Sequence, residues 1–241
     1  MAVSIDTVYQ RVLGILNKEQ RGYVTPQEFN LFANQAQLDI FEQYFYDINQ
    51  FGRVAGNSTE YSDMLTLLNE KINIFETTTN MSVSAGYFEF PPDLYRLGTV
   101  IYVNVTTNAF GVVLTEHIEI ERVNKNEFLY INSSPLTKPT NLRPIYVADT
   151  NGIKAYGDTV LIDDVICNYI KKPVKVQWGY QMIYGEALYN SNTSQDFELH
   201  PSDETELVMK ILALSGLVTK DPDIYSTATE GVITTIQQEK S

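Results

Sequence analysis

The spacing of apolar residues changes period twice along this chain, and that restricts its organisation to helical ends around a strand-forming middle. Residues 5–17 carry Ile5, Val8, Tyr9, Val12, Leu13, Ile15 and Leu16, an apolar face at helical spacing. A polar break around Gly22 follows. Thr25-Pro26-Gln27-Glu28 then has the form of a helix start, with Thr25 as cap, Pro26 at the first helical position and Glu28 as capping-box partner. The helix it opens runs to about Asn49. Phe29, Phe32, Ala33, Ala36 and Ile40 form one stripe, and Leu38, Phe41, Phe45 and Ile48 a second, which predicts burial by more than one neighbour. A further helix is expected over Tyr61 to Phe75.

From about Thr77 the pattern becomes short β-branched and aromatic runs divided by Asn, Gly, Pro and Thr, which reads as strands and turns. The runs are Phe88 and Phe90, Val100 to Val105, Val112 to Leu114, Phe128 to Ile131, Ile145 to Val147, Thr159 to Ile162 and Val165 to Ile170. Asn151-Gly152 signals a tight turn. Helical spacing returns at Pro201-Ser202-Asp203-Glu204, with Leu207, Ile211, Leu214 and Val218 as a stripe widened by Val208 and Leu212. Asp221-Pro222 is expected to open a last helix. The fold class is therefore α+β. Residues 1–76 form the N-terminal part of a helical bundle, 77–195 an inserted β-rich domain, and 196–241 the C-terminal part of the bundle with a terminal tail.

Charge narrows the partners. The 241 residues include 30 acidic and 17 basic ones, a formal net charge of −13, with no Lys/Arg cluster of the kind that holds nucleic-acid phosphate. A single cysteine, Cys167, excludes an internal disulfide. The start lacks a basic segment followed by an apolar one, so no secretion leader is expected, and no apolar run has bilayer length, so no membrane partner is expected.

Candidate chemical sites are weak. Residues 17–28 fit part of a calcium loop, with Asn17, Glu19, Gly22 and Glu28 at ligand or turn positions. Arg21 stands at position 5, where an oxygen ligand belongs, Lys18 adds a second positive charge, position 10 is Pro26, and Glu28 serves better as a cap, so no metal is expected. His117 and His200 have no second His or Cys at ligand spacing. His200, before Pro201, reads as a helix-start residue. Cys167 among Val165, Ile166, Tyr169 and Ile170 reads as a buried strand thiol. Asp149, Asp163 and Asp164 read as solvated turn residues. No nucleophile elbow, phosphate loop or dinucleotide fingerprint occurs. The expectation is a chain that is not an enzyme, with no catalytic residue and no cofactor.

Four segments go further: TVYQRVLGILNKEQRGYVTPQEFNLFANQAQLDIFEQYF (7–45), FPPDLYRLG (90–98), VNKNEFLYINSSPLTKPTNLRPIYV (123–147) and DFELHPSDETELVMKILALSGLVTKDP (196–222). They resemble structural proteins of tailed phages, including marine and crAss-like phages, in the head-to-tail adaptor or ring family. The resemblance implies a helical bundle with an inserted β-rich domain. It implies a homo-oligomeric ring, usually a dodecamer, stacked beneath the portal protein in the virion, in contact with neighbouring ring or tail proteins. Double-stranded DNA would pass through without specific binding, since acidic walls repel phosphate. Tyr225, Val232, Ile233 and Ile236 are the expected anchors of a portal-docking tail over 222–241. Alternative readings are another ring or gatekeeper of the tail, a receptor- or glycan-binding module using exposed Tyr and Trp of the β region, where Trp178 is the only Trp, and a tail-borne hydrolase.

Overall fold

A computed structural model describes residues 3–18, 24–51, 59–107, 113–150, 152–161, 163–219, 229–231 and 233–234. Among them the helices are α1 (Ile5–Lys18), α2 (Pro26–Phe51), α3 (Thr59–Asn73), α4 (Lys125–Ser133) and α5 (Glu204–Thr219). Helices and sheets both contribute substantially, so the chain is α+β. It divides into two compact units, one made of Met1–Ile74 and Pro173–Ser241, the other of Phe75–Lys172.

In the first unit α2 contacts α3 and α5, and α1 contacts α5. The buried face of α1 is Ile5, Val8, Tyr9, Val12 and Leu16, while Ile15 is exposed. The start of α2 carries the reciprocal box expected of it. The Thr25 N–H donates to Glu28 Oε2 at 3.0 Å, and the Glu28 N–H donates to Thr25 Oγ1 at 3.3 Å. The Thr25 N–H and the Thr25 hydroxyl, which donates to Oε2 at 2.7 Å, hold the Glu28 carboxyl below its ordinary range. Of the two stripes on α2, Phe29, Ala33, Ala36, Ile40 and Phe41 are buried, whereas Leu38 is exposed. Tyr44, Lys71 and Asp203 join three elements. The buried Asp203 accepts the Tyr44 hydroxyl, and Lys71 Nζ donates to Asp203 Oδ1 at 2.7 Å. A buried carboxylate needs such partners to offset its desolvation.

The second boundary falls at Lys172/Pro173, not at 195/196 as the sequence reading has it. Residues 173–195 belong with the helices because α2 holds them through side chains. Asn30 Nδ2 donates to the Trp178 carbonyl at 3.3 Å and Oδ1 accepts the Trp178 N–H at 2.7 Å. Asn34 treats Val176 the same way, at 2.9 and 3.0 Å. Gln37 Nε2 donates to the Val174 carbonyl at 2.8 Å. Four helical residues advance about 6 Å and two extended residues about 6.6–6.8 Å, so amides at i, i+4 and i+7 keep step with alternate residues of an extended chain. The opposite edge bonds Gln177 to Gln195 in both directions, at 3.2 and 2.8 Å. Phe197 then bridges to Val3, and Asp196 Oδ1 accepts the Ile5 N–H at 2.9 Å, which caps α1. Downstream, His200 accepts the Ser202 N–H ahead of the short 3-10 turn Pro201–Asp203 that leads into α5. On α5, Leu207, Val208, Ile211 and Leu212 are buried.

The second unit contains two sheets. In one, β1 (Glu76–Asn80), β9 (Val165–Lys171), β4 (Leu94–Thr107) and β5 (Val113–Glu119) pair antiparallel in the order β1-β9-β4-β5. In the other, β2 (Val83–Ser84), β3 (Tyr87–Phe88), β8 (Gly152–Tyr156), β7 (Ile145–Asp149) and β6 (Glu121–Arg122) stand in that order, with β6 and β7 parallel. Their inner residues meet in one core. Val100, Val165, Cys167 and Tyr169 come from the first sheet, and Phe88, Tyr146, Ile153 and Ala155 from the second. Gly152 closes the β7–β8 hairpin at φ +143°, where a side chain would also collide with the Phe88 carbonyl.

Two expected strands are not strands. Phe128–Ile131 lies in α4, where Phe128 packs on Tyr156 with ring centroids 4.4 Å apart and its neighbours face solvent. Its apolar run is a helix with one inward residue per turn, which a four-residue window does not separate from a strand. At Thr159–Ile162 a single bridge joins Val160 to Tyr156, and Ile162 lies outside the described residues.

The amide ladder predicts its own energetics. Asn34→Ala strands the N–H and C=O of the buried Val176 and lowers the unfolding free energy in urea by about 2 kcal/mol. Gln35→Ala removes only an exposed bond to Asp39 and costs less than about 0.5 kcal/mol. Equal losses in the two variants would contradict the ladder.

Candidate functional site

Of the four expected docking anchors, Tyr225, Val232 and Ile236 lie outside the described residues, and Ile233 is 48% exposed. The adjoining Gly231 faces Met209 of α5, where an added Cβ would sit 3.3 Å from the methionine Cε.

The residues singled out for chemistry are dispersed over separate structural tasks. Glu28 caps α2 and His200 caps the turn before α5. His117 stands on β5 opposite Val103. Cys167 is fully buried on β9, and burial pushes its thiol up, so it stays protonated at neutral pH. Asp149 accepts from Lys125 Nζ at 2.7 Å and from the Thr150 N–H at 2.8 Å, and these hold its carboxyl below its ordinary range. Asp163 and Asp164 are exposed, and the Asp164 carbonyl accepts the Val103 N–H. Among the described residues no group of three or more His, Cys, Asp or Glu side chains is placed to hold a metal ion, and no helix is long and apolar enough to cross a membrane.

Trp178 is 2% exposed in the first unit. Its Nε1 donates to Asp6 at 3.0 Å, and its ring lies against Tyr9, Tyr180 and Tyr189. It is thus an internal anchor and offers no face to a sugar, whereas tyrosines such as Tyr130 and Tyr184 are exposed.

What the structure brings forward instead is a set of apolar surfaces that face solvent. Past Tyr102, the last β4 residue paired with β9, β4 and β5 continue as a two-stranded ribbon in which Val105, Val113 and Leu114 are exposed. On α4 and the loop after it, Leu129, Tyr130, Leu136 and Leu142 are exposed. In the first unit, β10 (Tyr180–Ile183) and β11 (Glu186–Tyr189) form a hairpin that the sequence reading left unassigned. It turns through Tyr184 and Gly185, both at positive φ, and exposes Met182, Ile183 and the whole of Tyr184. The sequence signal for it was the Tyr184-Gly185 turn between two short runs containing apolar and aromatic residues. Large exposed apolar groups of this kind mark contact surfaces.

No protein-family model matches the chain, and no curated protein matches it.

One buried group in the β unit gives a pH dependence. The Tyr169 hydroxyl donates to Asp93 Oδ1 at 2.9 Å, and burial together with that carboxylate pushes its pKa up to about 12. A raised pKa means that the contribution is complete below the unfolded value of about 10 and is lost as pH climbs through 12. Between those limits the protein is expected to lose about 2 kcal/mol more stability than Tyr169→Phe, read from urea unfolding at each pH. Parallel curves for the two proteins would contradict this assignment.

Proposed function

We propose that this chain is a structural virion subunit of a homo-oligomeric ring, of dodecameric symmetry, that joins a tailed phage's head to its tail beneath the portal and continues the DNA channel. The observation that carries the reading is the interrupted helical unit. Helices from both ends of the chain pack together, and Phe75–Lys172 forms a second compact unit of β-sheets with the short helix α4. That order supports the organisation implied by the four segments resembling adaptor proteins. A closed ring needs two different faces per subunit, and the exposed ribbon, loop and hairpin supply several apolar surfaces for the purpose.

In this reading the chain is not an enzyme and uses no cofactor. Its partners are further copies of itself, the portal protein and the adjoining ring or tail proteins. DNA passes without being held, because a net charge of −13 per subunit repels phosphate. The segment 222–241, with Tyr225, Val232, Ile233 and Ile236, is the arm that reaches the portal. Quantitative mass spectrometry of purified particles tests the assignment. The chain is expected in equal copy number to the portal protein; a chain absent from the particle, or present at the copy number of a tube or capsid subunit, would overturn it.

A further inference from the structure

In the β unit the chain passes from one sheet to the other beside a β-bulge, and the crossing leaves an open cleft of about 480 Å³. The pairing of β4 with β9 sets Leu97 opposite Tyr169 and Val100 opposite Cys167, so Gly98 and Thr99 together face Asn168. A Cβ on Gly98 would stand 2.9 Å from the Asn168 carbonyl oxygen, which closes that position to a larger residue. On the other side β5 stops pairing with β4 at Glu119, and the Ile120 N–H donates to the Val100 carbonyl at 2.8 Å. Glu121 and Arg122 then join β7 as β6. The buried Val100, Ile120 and Tyr146 form the floor of the cleft, and the exposed Thr99, Glu119, Glu121 and Arg122 form its rim.

Polar capacity is left over on both floor and rim. Tyr146 is 6% exposed, yet among the described residues its hydroxyl has no hydrogen-bond partner, where a buried phenol normally finds one. Burial pushes its pKa up and the Arg122 guanidinium draws it back, so the hydroxyl is protonated at neutral pH and lies within reach of that cation's field. Arg122, Glu119 and Glu121 line the same cleft, and among the described residues none of the three has an ion-pair partner. A simple anion entering the cleft meets Arg122 but also two carboxylates, and a simple cation meets the reverse. A ligand carrying both signs satisfies all of them, with its carboxylate on Arg122 and Tyr146 and its ammonium on Glu119 and Glu121. We propose that this cleft binds a small zwitterion, a molecule with a carboxylate and an ammonium group a few bonds apart, as in a free amino acid. Its volume lies in the range that holds small ligands. The site is independent of the ring reading, since binding needs no assembled particle.

The test is an NMR titration of the isotope-labelled full chain. The probes are glycine, β-alanine and 4-aminobutyrate, with butyrate and butylammonium as single-charge controls. At least one zwitterion is expected to shift the Tyr146 ring and Arg122 side-chain signals saturably, with a Kd below about 5 mM. Both controls should bind more than about tenfold more weakly than the best zwitterion. Arg122→Gln, a change to an exposed side chain, and Tyr146→Phe, which keeps the buried ring, should each weaken zwitterion binding by about tenfold or more. E119Q/E121Q should weaken it too but leave butyrate binding equal or tighter, which a loss of fold would not do. All three zwitterions binding more weakly than that limit, or shifting signals elsewhere, would overturn the inference. A control that binds within about tenfold of the best zwitterion would reduce the cleft to a site for one charge and overturn it as well. Binding unchanged in Arg122→Gln would do the same.

Discussion

Asn30, Asn34 and Gln37 give α2 the hydrogen-bonding edge of a strand, and the first unit depends on that substitution. The extended stretch 174–178 presents the Val174 carbonyl and both backbone groups of Val176 and Trp178 to these carboxamides, and Gln177 to Gln195. Without them the N–H and C=O groups of Val176 and Trp178 would be buried with no partner, at a cost far above the small net gain of a satisfied hydrogen bond. The ladder also places Trp178 against Tyr9 and Asp6. It brings the chain back to the helices directly after the β unit, so that Asp196 and Phe197 can reach the start of α1. The base of the β10–β11 hairpin rests on the same aromatic group.

This dependence explains which parts of the fold were legible. The starts of α2 and α5 were readable because capping is local. Thr25 and Glu28 satisfy each other three residues apart, and His200-Pro201 does its work within one turn. The α1 face was readable because burial follows its spacing. The course of 173–195 was not, since its pairing partners are side chains more than a hundred residues upstream on a helix, and no local pattern encodes that. Gln37 illustrates the difficulty. A polar residue between the two apolar stripes reads as a break, yet it is among the most deeply buried groups because backbone amides need it. The Phe128–Ile131 run misled for a different reason, as α4 buries no residue fully and so shows no helical stripe.

The candidate surfaces were less legible than the fold. Sequence reasoning placed the contact residues in the terminal tail, where apolar side chains follow a proline. The geometry adds exposed apolar groups on a ribbon, a loop and a hairpin, whose exposure depends on where a sheet stops pairing and not on composition. Val113 and Leu114 look like interior strand residues until β9 is seen to end beside Tyr102. Tyr184 is an unusual residue for a left-handed turn position, which favours glycine or asparagine, and its full exposure gives it no packing role within this chain. An acidic subunit with such surfaces suits assembly into a closed structure, where apolar contacts hold neighbours together and the remaining charge limits uncontrolled association.

Cryo-electron microscopy of the purified particle, focused on the portal vertex, tests the central claim most directly. The account predicts a closed ring of this chain around the DNA axis directly beneath the portal, with its interrupted helical unit recognisable in each subunit. Density for this chain at the periphery of the particle, or none at the vertex, would contradict it.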